Sequence, residues 1–462
     1  MKPATPSRDP AHFGPPSVAA PPPRTLTVAR YAAIGAAIGI LVSIPVSQIL
    51  LGVALLCLLL NRVRLPWPRV WIPLGLFIAW FFVSLAVSPE PGLALPQVKK
   101  FYVFLTLPVL MAALHGAADF LRVAAGWAIV ATASALLALG QFAWKFWAAR
   151  QAGRNFYEAY VADRITGFMS HWMTFSGQEM LVALVLAALL LFGPARSRRL
   201  TVAGYAALAV LLAGIVLGNT RGVWIATAIG AFPLLWVYRR WMAIAAPIAF
   251  VALLAFGPGV IQQRFLSIFR PAGEMDSNQH RVVTFATGVE IIKAHPLFGL
   301  GPERVGPQVE RYAPAWIQRP LPVGYYGHLH NIYLHYGAER GLPAVLFLMA
   351  AFVVLYLHQR RALQAAARAL HRPSPQRPSP QRPSPHHPSP HRPSPCRWVH
   401  LGVVACLTAI LVGGLFEYNL GDSEILTMFL VIVAGGYLAT PESRTGLHAV
   451  PPPHAPTPQE PA

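Results

Sequence analysis

Eleven apolar runs constrain this chain more than any other feature: 31–60, 71–88, 101–114, 120–143, 177–193, 200–218, 222–238, 242–257, 342–357, 398–416 and 424–439. A helix needs about 20 apolar residues to cross a hydrocarbon core. Backbone in lipid must satisfy its own hydrogen bonds, and segments of this length do so as helices. Of 462 residues only 12% are charged and 55% are hydrophobic, against roughly 25% charged in soluble domains. A soluble globular enzyme and a disordered basic-tail protein are both excluded. The expected class is an all-α, polytopic integral membrane protein.

The first run, 31–60, has Pro45 at its middle and arginines at both ends: Arg24 and Arg30 before it, Arg62, Arg64 and Arg69 after it. One span would place these clusters on opposite sides, against the positive-inside tendency. A hairpin of two short helices keeps both clusters in the cytoplasm and brings the expected count to about twelve spans. The register predicts a disordered cytoplasmic tail over 1–28 and transmembrane helices 1–9 over 29–257. A large periplasmic loop over 258–341 follows, then helix 10 over 342–357. A cytoplasmic loop over 358–397, helices 11–12 over 398–439 and a disordered tail over 440–462 complete the chain. The charges agree with this order. Residues 359–397 hold eight arginines and no acid, whereas 258–341 holds eight basic and six acidic residues. Lys99 and Lys100, on the expected outer side, run against the trend.

The net charge of +20 would suggest nucleic acid in a soluble protein. Here it fixes orientation, and no nucleic-acid partner is expected. Cys57, Cys396 and Cys406 lack the spacing of a disulfide framework or metal knuckle. Residues 372–396 repeat a pentapeptide, RPSPQ and its variants. Its proline density favours extended polyproline geometry, and the segment reads as a linker with the option of contacting anionic lipid or an SH3-like partner.

Chemistry is expected where polar residues gather against the apolar trend, on the outer side. Arg221, in the turn Asn219-Thr220-Arg221-Gly222, is either a solvated interfacial arginine or a planar fork for a phosphate. Arg281 opens an apolar-periodic stretch through Val282, Phe285, Val289 and Ile292, with Ser277 or Asn278 as N-cap and an end before Pro296. Cation and helix dipole conflict there. A bound anion would resolve the conflict, and so would pairing with Glu274 or Asp276. His328, His330 and Asn331, with Tyr325, Tyr326 and Tyr333 nearby, offer a general base and sugar-binding groups, or simply an interfacial aromatic belt. His-x-His without a carboxylate or Cys at metal spacing is a weak metal signal. Arg164 and His171 stand together before the span at 177. The Asp-x-Asp pair, P-loop and Rossmann glycines of nucleotide-dependent chemistry are missing from the sequence.

Four stretches, in order, resemble the O-antigen ligase family, within the group that includes O-antigen polymerases and bacterial protein O-oligosaccharyltransferases. They are Arg164-x-Thr-Gly-Phe with His171; Thr220-Arg221-Gly222-x-Trp224; Arg281 through His295-Pro296-Leu297-x-Gly299-x-Gly301; and His328-x-His330-Asn331-x-Tyr333-Leu334, continuing to Glu339-x-Gly341. Ala344 stands where the last stretch of the family has its final glycine. The resemblance implies an inverting, metal-independent transfer without cofactor, at the periplasmic face of the bacterial inner membrane. A glycan would pass from undecaprenyl pyrophosphate to a hydroxyl of the lipid A–core. Arg221 and Arg281 would hold the pyrophosphate, and His330 would be the base, with His328 as its alternative. Arg164, His171, His328, Asn331 and Tyr333 would contact substrate; Glu339 and Asp276 are further candidates for the base. A polymerase or a protein O-oligosaccharyltransferase would use the same donor with another acceptor. A secondary transporter is the competitor from another class, but such folds are often built from two related halves, and no internal repeat is seen here.

Overall fold

The protein is described by a computed structural model covering residues 23–257, 259–266, 278–322, 324–371 and 396–440. Most of both expected tails, the pentapeptide repeats, and Glu274 and Asp276 lie outside the described residues. Those residues form helices and connections, with no strand among them. The first helices are α1 (Arg24–Gly39), α2 (Ile44–Leu60), α3 (Trp71–Ala86), α4 (Leu95–Val98), α5 (Thr106–Ala113) and α6 (Ala117–Gln151). Next come α7 (Phe156–Ala162), α8 (Trp172–Phe192), α9 (Arg198–Leu217), α10 (Arg221–Tyr238), α11 (Arg240–Phe256) and α12 (Gly259–Leu266). The last are α13 (Asn278–Ala294), α14 (Val305–Tyr312), α15 (Ile332–Arg340), α16 (Leu342–His371), α17 (Arg397–Gly413) and α18 (Ser423–Leu438).

Among the described residues six segments are long and apolar enough to cross a bilayer: Pro91–Ala113, Ala117–Gln151, Trp172–Phe192, Arg198–Leu217, Arg221–Tyr238 and Leu342–Arg368. Five shorter apolar helices accompany them. The run 31–60 breaks into α1 and α2, with Ser43 capping α2 and Pro45 in its first turn, where a missing N–H is harmless. An alanine stripe on α1 (Ala29, Ala33, Ala36) is buried, and the Ser47 hydroxyl donates to Ala36 O at 2.8 Å, which lets the two backbones approach closely. The connection 89–100, between the apolar runs 71–88 and 101–114, is largely helical. Pro91 and Pro96 open successive short turns, and the coil continues into α5. Helices α6 and α16 outrun their apolar segments because polar residues propagate a helix as readily as apolar ones once it is nucleated.

Helix α8 is the centre of the bundle, with 78% of its apolar window buried, and it packs against α6, α9, α10, α17 and α18. One end of the bundle is arginine-rich. Arg196 follows α8, Arg198 and Arg199 open α9, Arg239 and Arg240 separate α10 from α11, and Arg397 opens α17. At 1.5 Å per residue the other end of α8 lies about 30 Å away. There the starts of α8 and α10, the end of α17, and the unit built from α13, α14 and α15 come together.

Candidate functional site

Each stretch singled out in the sequence is held at that end by a local device. The Arg164–Phe168 turn hangs from α6. Gln141 Oε1 accepts from Thr166 N at 2.9 Å and Gly167 N at 3.1 Å, and Ser134 Oγ accepts from Phe168 N at 3.1 Å. Arg164 is thereby placed with its guanidinium 4.9 Å from the Trp172 ring. Before α10, Asn219 takes a left-handed conformation (φ 54°), Thr220 is the N-cap and Arg221 the first helical residue. Gly222 follows because α10 meets the chain after α17 here: a Cβ would lie 2.6 Å from that of Phe416.

Asn331 caps α15, its Oδ1 accepting from Tyr333 N at 2.9 Å and Leu334 N at 3.0 Å. Its Nδ2 donates to Leu415 O at 3.1 Å, and Ile332 N donates to Gly414 O at 2.8 Å. The start of α15 is thus pinned to the residues after α17, which sets His330 (φ 49°) beside Glu417. His330 Nδ1 lies 3.2 Å from Glu417 Oε2. Arg281, in the first turn of α13, donates to Glu417 Oε1 at 2.8 Å. The far ends of α13 and α15 are clamped as well. Leu300 N donates to Ala338 O and Gly301 N to Glu339 O, at 2.8 and 2.9 Å.

These groups enclose a cavity of about 120 Å³ lined by Arg164, Arg221, Arg264, Arg281, His280, His330, Glu417 and Trp172, with Met173 and Thr220. A larger cavity, about 280 Å³, meets it at Met173 and Glu417 and is faced by Lys100, His171, Thr174, Tyr325, His328 and Asp422 among others. Residues 206–349, from α9 into α16, match the family model described as O-Antigen ligase. The chain carries an O-antigen ligase family domain. No curated protein matches the chain. The domain belongs to glycosyltransferases of the O-antigen ligase and polymerase type. It supplies Arg221, Arg264, His280, Arg281 and His330; Arg164, Trp172 and Glu417 come from outside the matched residues and complete the cavity.

In this cavity four guanidinium groups face one carboxylate. Burial, and then the neighbouring Arg264, push Arg164 down to about 9. Guanidinium groups crowded around one cavity favour a bound anion there. Residues at the starts of α8, α10 and α13 line the same space, and helix starts favour anions. The histidines are not alike. Burial, followed by the repulsion of His330, lowers His328 to about 3 and His280 to about 4. His328 Nδ1 also accepts the backbone N–H of His330 at 3.3 Å. His171 is lowered by burial first, and its Nδ1 caps α8 through Met173 N.

Of the expected site residues, Arg164, Arg221, Arg281 and His330 share the arginine cavity, and His171 and His328 face the larger one. Asn331 and Tyr333 face neither. Asn331 makes the cap described above, and the Tyr333 hydroxyl donates to Leu411 O at 2.7 Å, so both support the start of α15. Glu339 is also occupied. Burial alone would raise its carboxyl, but His335, Arg340 and Gln97 outweigh burial and hold it at about 2. Arg281 has Glu417 as its partner, where sequence offered Glu274 or Asp276. The stripe on α13 also differs: Val282 and Phe285 are 52% and 56% exposed, while Val283 and Ile291 are buried.

Arg264, His280 and Glu417 were missed. His280 stands next to Arg281 in a segment already singled out. Glu417 had a signal, a lone acid directly after an apolar run, of the kind that drew attention to Arg221. Arg264 had none among the basic residues of its loop. Among the described residues no group of three or more His, Cys, Asp or Glu side chains is placed to hold a metal ion.

Proposed function

We propose that the protein transfers a glycan from undecaprenyl pyrophosphate to a hydroxyl of the lipid A–core, inverting the anomeric carbon and using no metal. The observation that carries this reading is the arginine cavity with His330 in its wall. A pyrophosphate is a compact, multiply charged leaving group, and preorganised guanidinium groups stabilise such charge as it develops. His330 takes the proton of the acceptor hydroxyl, and the acceptor oxygen bonds to the anomeric carbon. The bond from that carbon to the pyrophosphate oxygen breaks on the opposite face, leaving undecaprenyl pyrophosphate. His328 is the poorer base: its lone pair at Nδ1 is engaged, and protonation is resisted down to about pH 3.

Counted with the five shorter apolar helices and α1, the six long segments would give twelve spans. The arginine-rich end would face the cytoplasm, so the cavity would open on the periplasmic face of the inner membrane. The site gathers at helix ends and not midway along spans, which favours transfer over transport. The test is reconstitution in liposomes with undecaprenyl-pyrophosphate glycan, offering lipid A–core, a second lipid-linked glycan or an acceptor protein in turn, with and without chelator. Transfer to lipid A–core alone, in chelator, and its loss by a factor of about 10²–10⁴ in His330→Ala are expected. Transfer to the second glycan alone would make the protein a polymerase, and full activity of His330→Ala would remove the assigned base.

A further inference from the structure

Glu417 is the one carboxylate among the described residues that line the arginine cavity, and it faces the larger cavity too. A carboxylate there repels the anion that the arginines would attract, so its presence needs a cause. Its two oxygens have different partners: Oε1 accepts from Arg281 Nη2 at 2.8 Å, and Oε2 lies 3.2 Å from His330 Nδ1. The side chain is 10% exposed, and its backbone N donates to Gly413 O at 3.0 Å. The anchors at Gly414 and Leu415 tie the same turn to the residues that follow His330. Arg281 and His330 therefore reach each other through one buried group.

We propose that Glu417 is a positioning residue that exchanges partners when the donor binds; this rests on the donor and base assigned above. In the free protein it neutralises Arg281 at the start of α13. The pyrophosphate takes over the guanidinium, and Glu417 is left to His330. A carboxylate in this pairing only accepts, so the hydrogen sits on Nδ1 and the lone pair on Nε2 is free for the acceptor hydroxyl. The proton gained at Nε2 makes an imidazolium whose charge Glu417 balances until the proton leaves to water. The base is thereby fully paired with its carboxylate only when a leaving group is in place, which discourages idle proton traffic at an empty site. His280 and His328, with ring centroids 5.3 and 4.3 Å from that of His330, are held neutral by burial and leave the carboxylate as the charged neighbour of the imidazole on that side.

The exchange gives opposite signs for binding and rate, which a merely structural role would not. In Glu417→Gln the competing charge is gone, so inorganic pyrophosphate, titrated by calorimetry in detergent, binds several-fold more tightly. The orienting carboxylate is gone as well, so kcat for glycan transfer falls by about 10²–10⁴, the range seen when a histidine loses its second-shell or triad carboxylate. Glu417→Asp keeps the charge at shorter reach and restores part of kcat, with a melting midpoint near that of the wild type. An unchanged kcat in Glu417→Gln, or pyrophosphate binding and kcat that fall together, would overturn the exchange while leaving the glycosyltransferase reading in place. A wild-type protein that neither binds pyrophosphate nor transfers glycan would overturn both.

Discussion

Arg281→Ala tests the leaving-group role most directly, because its two consequences differ in size. In the free protein the substitution removes one charge-assisted contact of 2.8 Å from a side chain that is 30% exposed. Water can replace part of it, and Glu417 keeps His330 as a neighbour at 3.2 Å. The stability cost is therefore about 1 kcal/mol, below the 1.5–3 kcal/mol of a buried charged hydrogen bond. In the proposed transition state the same guanidinium faces the charge that gathers on the departing pyrophosphate. Losing one such preorganised donor costs about 2.7–4 kcal/mol, or a factor of 10²–10³ in kcat. Arg164, Arg221 and Arg264 remain, so donor KM rises much less than kcat falls. Arg281→Lys keeps a point charge without the planar fork and falls between wild type and Ala. The assay is single-turnover release of glycan from the polyprenyl donor in proteoliposomes, with a melting curve on the same preparation. Arg281→Ala within threefold of wild-type kcat, in a protein that melts normally, would refute a leaving-group role for this side chain.

Asn331→Ala should lower the melting midpoint by the equivalent of about 0.5–2 kcal/mol, the usual loss for an N-cap, and reduce kcat by loosening His330. Asn331→Asp, which keeps the capping oxygen, should restore most of both. A raised acceptor KM with unchanged melting would instead return Asn331 to substrate contact. Acid should destabilise the fold through the buried histidines. His280 and His328 fall to about 4 and about 3 from 6.5, so between those values and 6.5 the unfolded chain binds more protons than the folded one. Stability is then whole above about pH 6.5 and is lost as pH falls toward 4. Glu339, at about 2 against 4.5, adds a loss of the same sign below pH 4.5. Melting midpoints followed downward from neutral pH check this, and His328→Gln should flatten the upper part of the decline; a midpoint constant to pH 4.5 would contradict it.

What could be read from sequence were departures from a local trend. The α1–α2 hairpin was legible because Pro45 interrupts an apolar run flanked by arginines on both sides. Arg221, Arg281 and His330 were legible because each is a polar residue set against apolar surroundings. Glu417 and Arg264 acquire meaning only by convergence: Glu417 meets His330 across 87 residues and Arg281 across 136, and a solitary charge carries no record of such a partner. The face of α13 failed for another reason. Periodicity marks an apolar stripe, but in a chain of this composition it does not say whether protein or lipid covers it. The segment 89–100, between the apolar runs 71–88 and 101–114, is helical because its prolines sit in the first turns of short helices, where a helix tolerates them.

The glycines near residue 300 show why parts of a chemical signature need no chemistry. Gly299 has φ 66°, and a Cβ there would lie 2.3 Å from Glu339 C; at Gly341, φ 79°, it would lie 1.9 Å from Leu297 O. Neither glycine touches the arginine cavity. They allow the chain after α13 to lie against the end of α15, where Leu342 N reaches Pro296 O at 2.8 Å. Glu339 is held at that junction by Gln97 and by the N–H of Glu303, and α3 braces it through Ser84 and Trp80. The two helices are thus fixed at their far ends, while their near ends carry Arg281 and His330 on either side of Glu417. A displacement of about 1 Å in such a constellation is enough to cost a hundredfold in rate. The stretch from His295 to Gly301 therefore helps set the spacing between Arg281 and His330, with glycine at 299 and 341 because the two backbones come too close there for a Cβ.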